Sequence, residues 1–175
     1  MREILRKYIR QVLKEEFNNS ALADSIIKRI PFLEDYNIKR IPNNGIIAQR
    51  IVYNRNYEFK LGEEIHLFPN FNIGSEFSFS NFPVRDNVFY NFILKNEFFI
   101  SKPEDMDSFN FKVLTTILKR LEQNYSYRKE IIVKEGQTIK KEDLDNVIND
   151  INKKLFEFEE FMNKNGISFY NQKAI

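Results

Sequence analysis

The chain reads as an α+β protein: a mainly antiparallel sheet with helices at both termini. Three observations predict this. Apolar residues recur at spacings of three and four over residues 4–17 and again over 144–162, the mark of amphipathic helices. Between them lie short stretches rich in β-branched and aromatic residues, separated by Asn, Gly and Pro clusters. A length of 175 residues suits one sizeable core.

The first expected helix covers residues 2–17, with Ile4, Leu5, Tyr8, Ile9, Val12, Leu13 and Phe17 on one face. Arg2, Arg6, Lys7, Arg10 and Lys14 spread over the remainder. Asn18-Asn19-Ser20 interrupts the pattern, so residues 1–19 read as a leader helix and 20–175 as a single α+β domain. A short second helix would bury Leu22, Ile26, Ile27 and Ile30, and Pro31 stops it. Strands are expected at 37–41, 46–53, 57–61 and 64–68, divided by Pro42-Asn43-Asn44-Gly45, Asn54-Arg55-Asn56 and Gly62. Phe77-Ser78-Phe79-Ser80 alternates as a strand with one buried face does.

Pro83 then opens an expected helix whose apolar face is Val84, Val88, Phe89, Phe92 and Ile93. Residues 97–100 form another short strand. Asp107 caps a helix that turns Phe111, Leu114, Ile117, Leu118 and Leu121 to the core. A strand at 130–133 precedes the last helix, residues 141–164, with Leu144, Val147, Ile148, Ile151, Leu155, Phe158, Phe161 and Met162 on one stripe. Gly166 is its expected C-cap.

Composition removes several classes of chemistry. Without Cys there is no disulfide, thiolate zinc site or cysteine nucleophile. One His excludes two-histidine metal motifs, and a serine triad would need His66 without any GxSxG turn. No GxxxxGK[ST] or GxGxxG phosphate cradle exists. Apolar runs are too short for a membrane-spanning helix, and the basic start lacks the apolar core of a secretory signal. Glu58-Phe59-Lys60 with Asp35 has the residue types of a metal-dependent nuclease, but such a triplet arises readily in a chain this charged; alternating charge on an exposed strand is the reading preferred, and no metal is expected. Tyr125-Ser126-Tyr127-Arg128-Lys129 interleaves aromatic and basic residues, yet Glu122 and Glu130 flank it, so nucleic acid is not an expected partner.

One discontinuous set carries more. Arg50 stands in Gln49-Arg50-Ile51-Val52-Tyr53, followed by Leu61-Gly62-Glu63-Glu64-Ile65-His66-Leu67. Next come Phe77-Ser78-Phe79-Ser80 and then Glu130-Ile131-Ile132-Val133-Lys134-Glu135-Gly136. In order and spacing this resembles the mono-ADP-ribosyltransferases of the arginine–serine–glutamate type, over about residues 46–139. The resemblance implies a catalytic set of Glu130, Ser78 and Arg50. NAD would be the substrate, bound by Arg50 and Ser80, with Phe89 or Tyr90 stacking on nicotinamide. Glu130 would oppose oxocarbenium charge, Ser78 would orient it, and Arg50 would grip phosphate or ribose. Arg128 departs from this pattern, since arginine-modifying members carry Glu or Gln two positions before the catalytic Glu.

The basic stretch from Ile4 to Glu16 resembles the leader helices of tailed-phage proteins, some of which are trimmed after a Leu-x-Glu such as Leu13-Lys14-Glu15. This implies host or phage proteins as partners, the capsid through residues 1–17, and a place in the host cytoplasm or virion rather than secretion. Two functions are therefore expected: transfer of ADP-ribose from NAD to a host protein, or a non-catalytic bacteriophage virion or host-takeover protein acting through protein–protein contacts.

Overall fold

A computed structural model describes residues 2–41, 45–61 and 63–164 of the chain. Helix α1 runs Arg2–Arg29, and a 3₁₀ turn at Pro31–Asp35 leads into β1, Asn37–Ile41. Two long strands follow, β2 at Gly45–Leu61 and β3 at Glu64–Val84, then β4 at Asn87–Ile100. Helix α2 spans Ser108–Asn124, β5 Tyr127–Lys134, and α3 Lys141–Lys164. The strands pair in chain order, each antiparallel to the next. The protein is α+β, a mainly antiparallel sheet with helices at both ends.

Alternation along the strands puts one face of this meander under the helices. In β3, Phe71, Ile73, Phe77 and Phe79 are buried; in β4, Phe92, Leu94 and Phe98 are. Helix α1 covers the β1–β2 side with Ala23, Ile26 and Ile30. Helix α3 runs along the sheet, its stripe of Val147, Ile148, Ile151, Leu155, Phe158 and Met162 buried as its spacing predicts. It joins two apolar clusters: one around Phe77, Phe79 and Phe92, the other around Phe71, Phe98 and Leu114. Each such side chain contributes about 1.5–3 kcal/mol on leaving water. Among the described residues, no helix packs on the other face.

One strand edge and one helix end are managed by side chains. β5 covers β4 only from Asn87 to Leu94. Beyond that point Glu122 of α2 accepts from the Phe98 N–H at 2.8 Å, which satisfies a strand edge that water or another chain would otherwise take. Asp107 caps α2 as expected, accepting from Asn110 N at 2.7 Å.

Three local expectations need correction. Helix α1 is continuous, so Asn18-Asn19-Ser20 does not break it; helix propensities of a few tenths of a kcal/mol do not outweigh an extending hydrogen-bond ladder. Asn54-Arg55-Asn56 is not a turn, because β2 continues through it, paired to β3 from Ile46↔Phe79 to Leu61↔Glu64. Residues 83–93 are not helical. Pro83 and Val84 end β3, where β2 pairing has stopped and a missing N–H is tolerated, and Arg85-Asp86 turns the chain with Arg85 at φ 56°. The turns at 42–44 and Gly62 and the C-cap at Gly166 lie outside the described residues.

Candidate functional site

Register decides where the six candidate residues stand. Arg50 pairs with Ser75, and Ser75 with Asn96; this row lies on the helix-covered face, where Ser75 is 5% and Asn96 1% exposed. Ser78 is three residues from Ser75 and therefore points to the opposite face. Glu130 pairs with Asn91, and Asn91 with Ser80, so Glu130, Ser80 and Ser78 share the uncovered face. Glu130 and Ser80 are two strands apart, about 10 Å. Phe89 is on that face too, while Tyr90 is buried beneath the helices and stacks on Phe79, ring centroids 6.2 Å apart. The sheet thus separates Arg50 and Tyr90 from Ser78, Ser80, Glu130 and Phe89.

Arg50 has a settled environment. Its side chain is 9% exposed and pairs with Glu159 of α3 at 3.4 Å, and its guanidinium lies 5.6 Å from the centroid of the Tyr36 ring. The Tyr36 hydroxyl shares a 2.6 Å hydrogen bond with Ser75, and Asn96 Nδ2 donates to Tyr125 O at 2.7 Å. Burial raises the Tyr36 pKa, against the lowering influence of the Ser75 bond and the Arg50 charge. The apolar rows on either side, Ala48–Phe77–Leu94 and Ile73–Phe98, belong to the two separate clusters. Arg50, Ser75, Asn96, Tyr36 and Glu159 form a polar belt between them; Arg50 pairs with Glu159, Tyr36 with Ser75, and Asn96 Nδ2 with backbone, while the buried Asn96 Oδ1 has no protein partner.

Glu130 is exposed and lines a groove of about 360 Å³ between β5 and α3. Asp143 and Asp150 line the groove with it; Arg50 and Ser78 do not. Tyr127, at its end, donates to Asp150 at 3.2 Å. Its pKa is pushed up to about 12, chiefly by burial and then by the Asp150 charge and hydrogen bond. Lys129 also lines the groove, one cation against the three carboxylates of Glu130, Asp143 and Asp150, so the net acidic lining disfavours a dinucleotide's phosphates.

The other candidates are likewise dispersed. Asp35 ends the 3₁₀ turn beside β1, whereas Glu58 is nine residues along β2 from Gln49, the partner of Asn37, or about 30 Å. Among the described residues, no group of three His, Asp or Glu side chains stands close enough to hold a metal ion. His66 is 5% exposed, in the hairpin of β2 and β3 opposite Phe59.

The uncovered face has features that sequence reasoning did not assemble. Phe82, Phe89 and Ile132 form one cross-strand row, with the two Phe rings stacked at 5.6 Å and 13°. Phe82 is 41% and Ile132 56% exposed, and Val84 extends the patch. A signal was present: on β3 the residues facing this way are Glu76, Ser78 and Ser80, and then Phe82 breaks the polar series. Below the patch the face turns polar, with Gln49 donating to Glu76 at 2.7 Å. Farther down, Phe99 lies over Gly74, next to Ile51, around a depression of about 240 Å³.

These features define a class: an α+β protein built on a five-strand antiparallel meander, roofed by helices on one side. No family model, curated protein or solved structure matches the chain.

Proposed function

We propose that this is a non-catalytic protein that works by contact, a phage virion or host-takeover component docking other proteins on its uncovered sheet face. The observation that carries this reading is the Phe82–Phe89–Ile132 row, an exposed apolar patch on a face no described helix covers. Large exposed aromatic and aliphatic side chains grouped together are the common composition of a binding surface. The phage attribution rests on the leader resemblance alone.

The transferase alternative asks Arg50 to reach NAD from the far side of the sheet, while that residue is engaged by Glu159 and Tyr36. The two readings part in one experiment. With labelled NAD⁺ and host lysate, the contact reading expects no label transfer, no NAD⁺-induced rise in melting temperature and no effect of Glu130→Gln. It also expects Phe82→Asp with Ile132→Asp to remain folded and to lose cross-links to its protein partner, a loss of ~2 kcal/mol or more for central aromatic contacts. NAD⁺-dependent labelling that disappears in Glu130→Gln would restore the transferase.

A further inference from the structure

We propose that the first turns of α1 are a membrane-surface element, which lays its apolar arc into a bilayer bearing anionic phospholipids. This surface is separate from the sheet face and does not depend on its role. Every residue from Arg2 to Arg10 is exposed, including Ile4 at 76%, Leu5 at 59%, Tyr8 at 65% and Ile9 at 47%. At helical spacing these four fall within an arc of about 140°. Arg2, Arg6, Lys7 and Arg10 occupy the rest of the circumference, joined by Glu3 alone among the acids. Leu22, Ala23, Ile26 and Ile30 seat the helix on the sheet, and Arg2 lies about 30 Å along the helix from Leu22.

The charge pattern selects the occupant. Pairing with a second copy would set four cations against four, with Glu3 the sole acid on each side to answer them. A protein groove would answer this pattern only if it carried acidic residues along both rims. An interfacial helix instead has phosphate groups along both flanks, so cations at both borders of the apolar arc, Arg2 on one side and Lys7 on the other, meet headgroups. Tyr8 sits mid-arc, and an amphipathic ring of that kind favours the interfacial depth.

The test is flotation of the whole chain with phosphatidylcholine vesicles, with and without phosphatidylglycerol. Binding is expected only with phosphatidylglycerol, weakening as salt is raised. Arg6→Gln with Arg10→Gln should weaken it roughly 25-fold, about fivefold per cation removed. Leu5→Gln with Ile9→Gln leaves the charge unchanged and should weaken binding at least about tenfold by removing apolar contact. All four positions are exposed, so circular dichroism and melting should match wild type. No flotation with anionic vesicles, equal flotation with neutral ones, or binding that survives Leu5→Gln/Ile9→Gln would each overturn the proposal. Retention by an acidic protein without vesicle binding would overturn it too and assign the arc to a protein partner.

Discussion

Arg50 shows how one residue's meaning changes with its surroundings. In sequence it is a cation on a strand; in the fold it ties β2 to α3 through Glu159 and lies over Tyr36. Arg50→Ala should cost ~2–3 kcal/mol, below the ~3–5 kcal/mol of a fully buried pair because Glu159 can regain water; Glu159 is 32% exposed. Urea denaturation checks this, and the loss should be the same with or without NAD⁺, which a cofactor-binding arginine would not give. Two glycines make a sharper contrast. Gly45 has φ +113°, and a Cβ there would stand 1.8 Å from the Phe79 carbonyl oxygen, so Gly45→Ala should destabilise by several kcal/mol through backbone strain and overlap. At Gly74 the neighbour is the exposed Phe99 ring at 3.0 Å, which can swing aside. Gly74→Ala should stay within ~1 kcal/mol of wild type, measured in the same urea series.

Among the elements, α1 has a seated C-terminal end and an exposed N-terminal one. Ala23, Ile26 and Ile30 belong to the core, whereas residues 2–10 are exposed throughout. A chain beginning at Ser20 keeps the core contacts of Leu22, Ala23, Ile26 and Ile30 and should still melt cooperatively in calorimetry. An aggregating or non-cooperative product would show that the first turns are packed. Asp107→Ala should cost ~1 kcal/mol by removing the α2 cap, the expected scale for a bond that satisfies one orphan N–H. The helices were legible because their period of 3.6 is written in the side chains: α3 begins and ends where its stripe does. The strand at 87–100 was not, because Val84, Val88, Phe89, Phe92 and Ile93 fit a helical face while Val88, Tyr90, Phe92 and Leu94 fit a strand. Pairing with β3 and β5 on both sides selects the second pattern.

At the scale of the molecule, burial of tyrosines couples stability to alkaline pH. Tyr36, Tyr90, Tyr125 and Tyr127 all have raised pKa values, each chiefly from burial. Tyr127 goes from 10.0 to about 12. The unfolded chain releases these protons first, so stability is intact below about pH 10 and falls as pH rises toward 12. Urea midpoints measured across that window should decline, and Tyr127→Phe should flatten the decline. What the sequence determined alone was local: helix period, the α2 cap, the alternation of buried and open strand positions, and the absence of thiol and two-histidine chemistry. The tertiary structure alone decided which strand positions share a face. With a side-chain period of two, the pairing of Arg50 with Ser75 puts Ser78 and Glu130 behind the sheet from Arg50. Arg50 and Ser75 stand 25 residues apart in the chain, and they meet because the pairing that starts at Leu61↔Glu64 carries on past Asn54-Arg55-Asn56 to Ile46↔Phe79; the Asn-rich spacing does not announce that continuity, which pairing across the sheet decides.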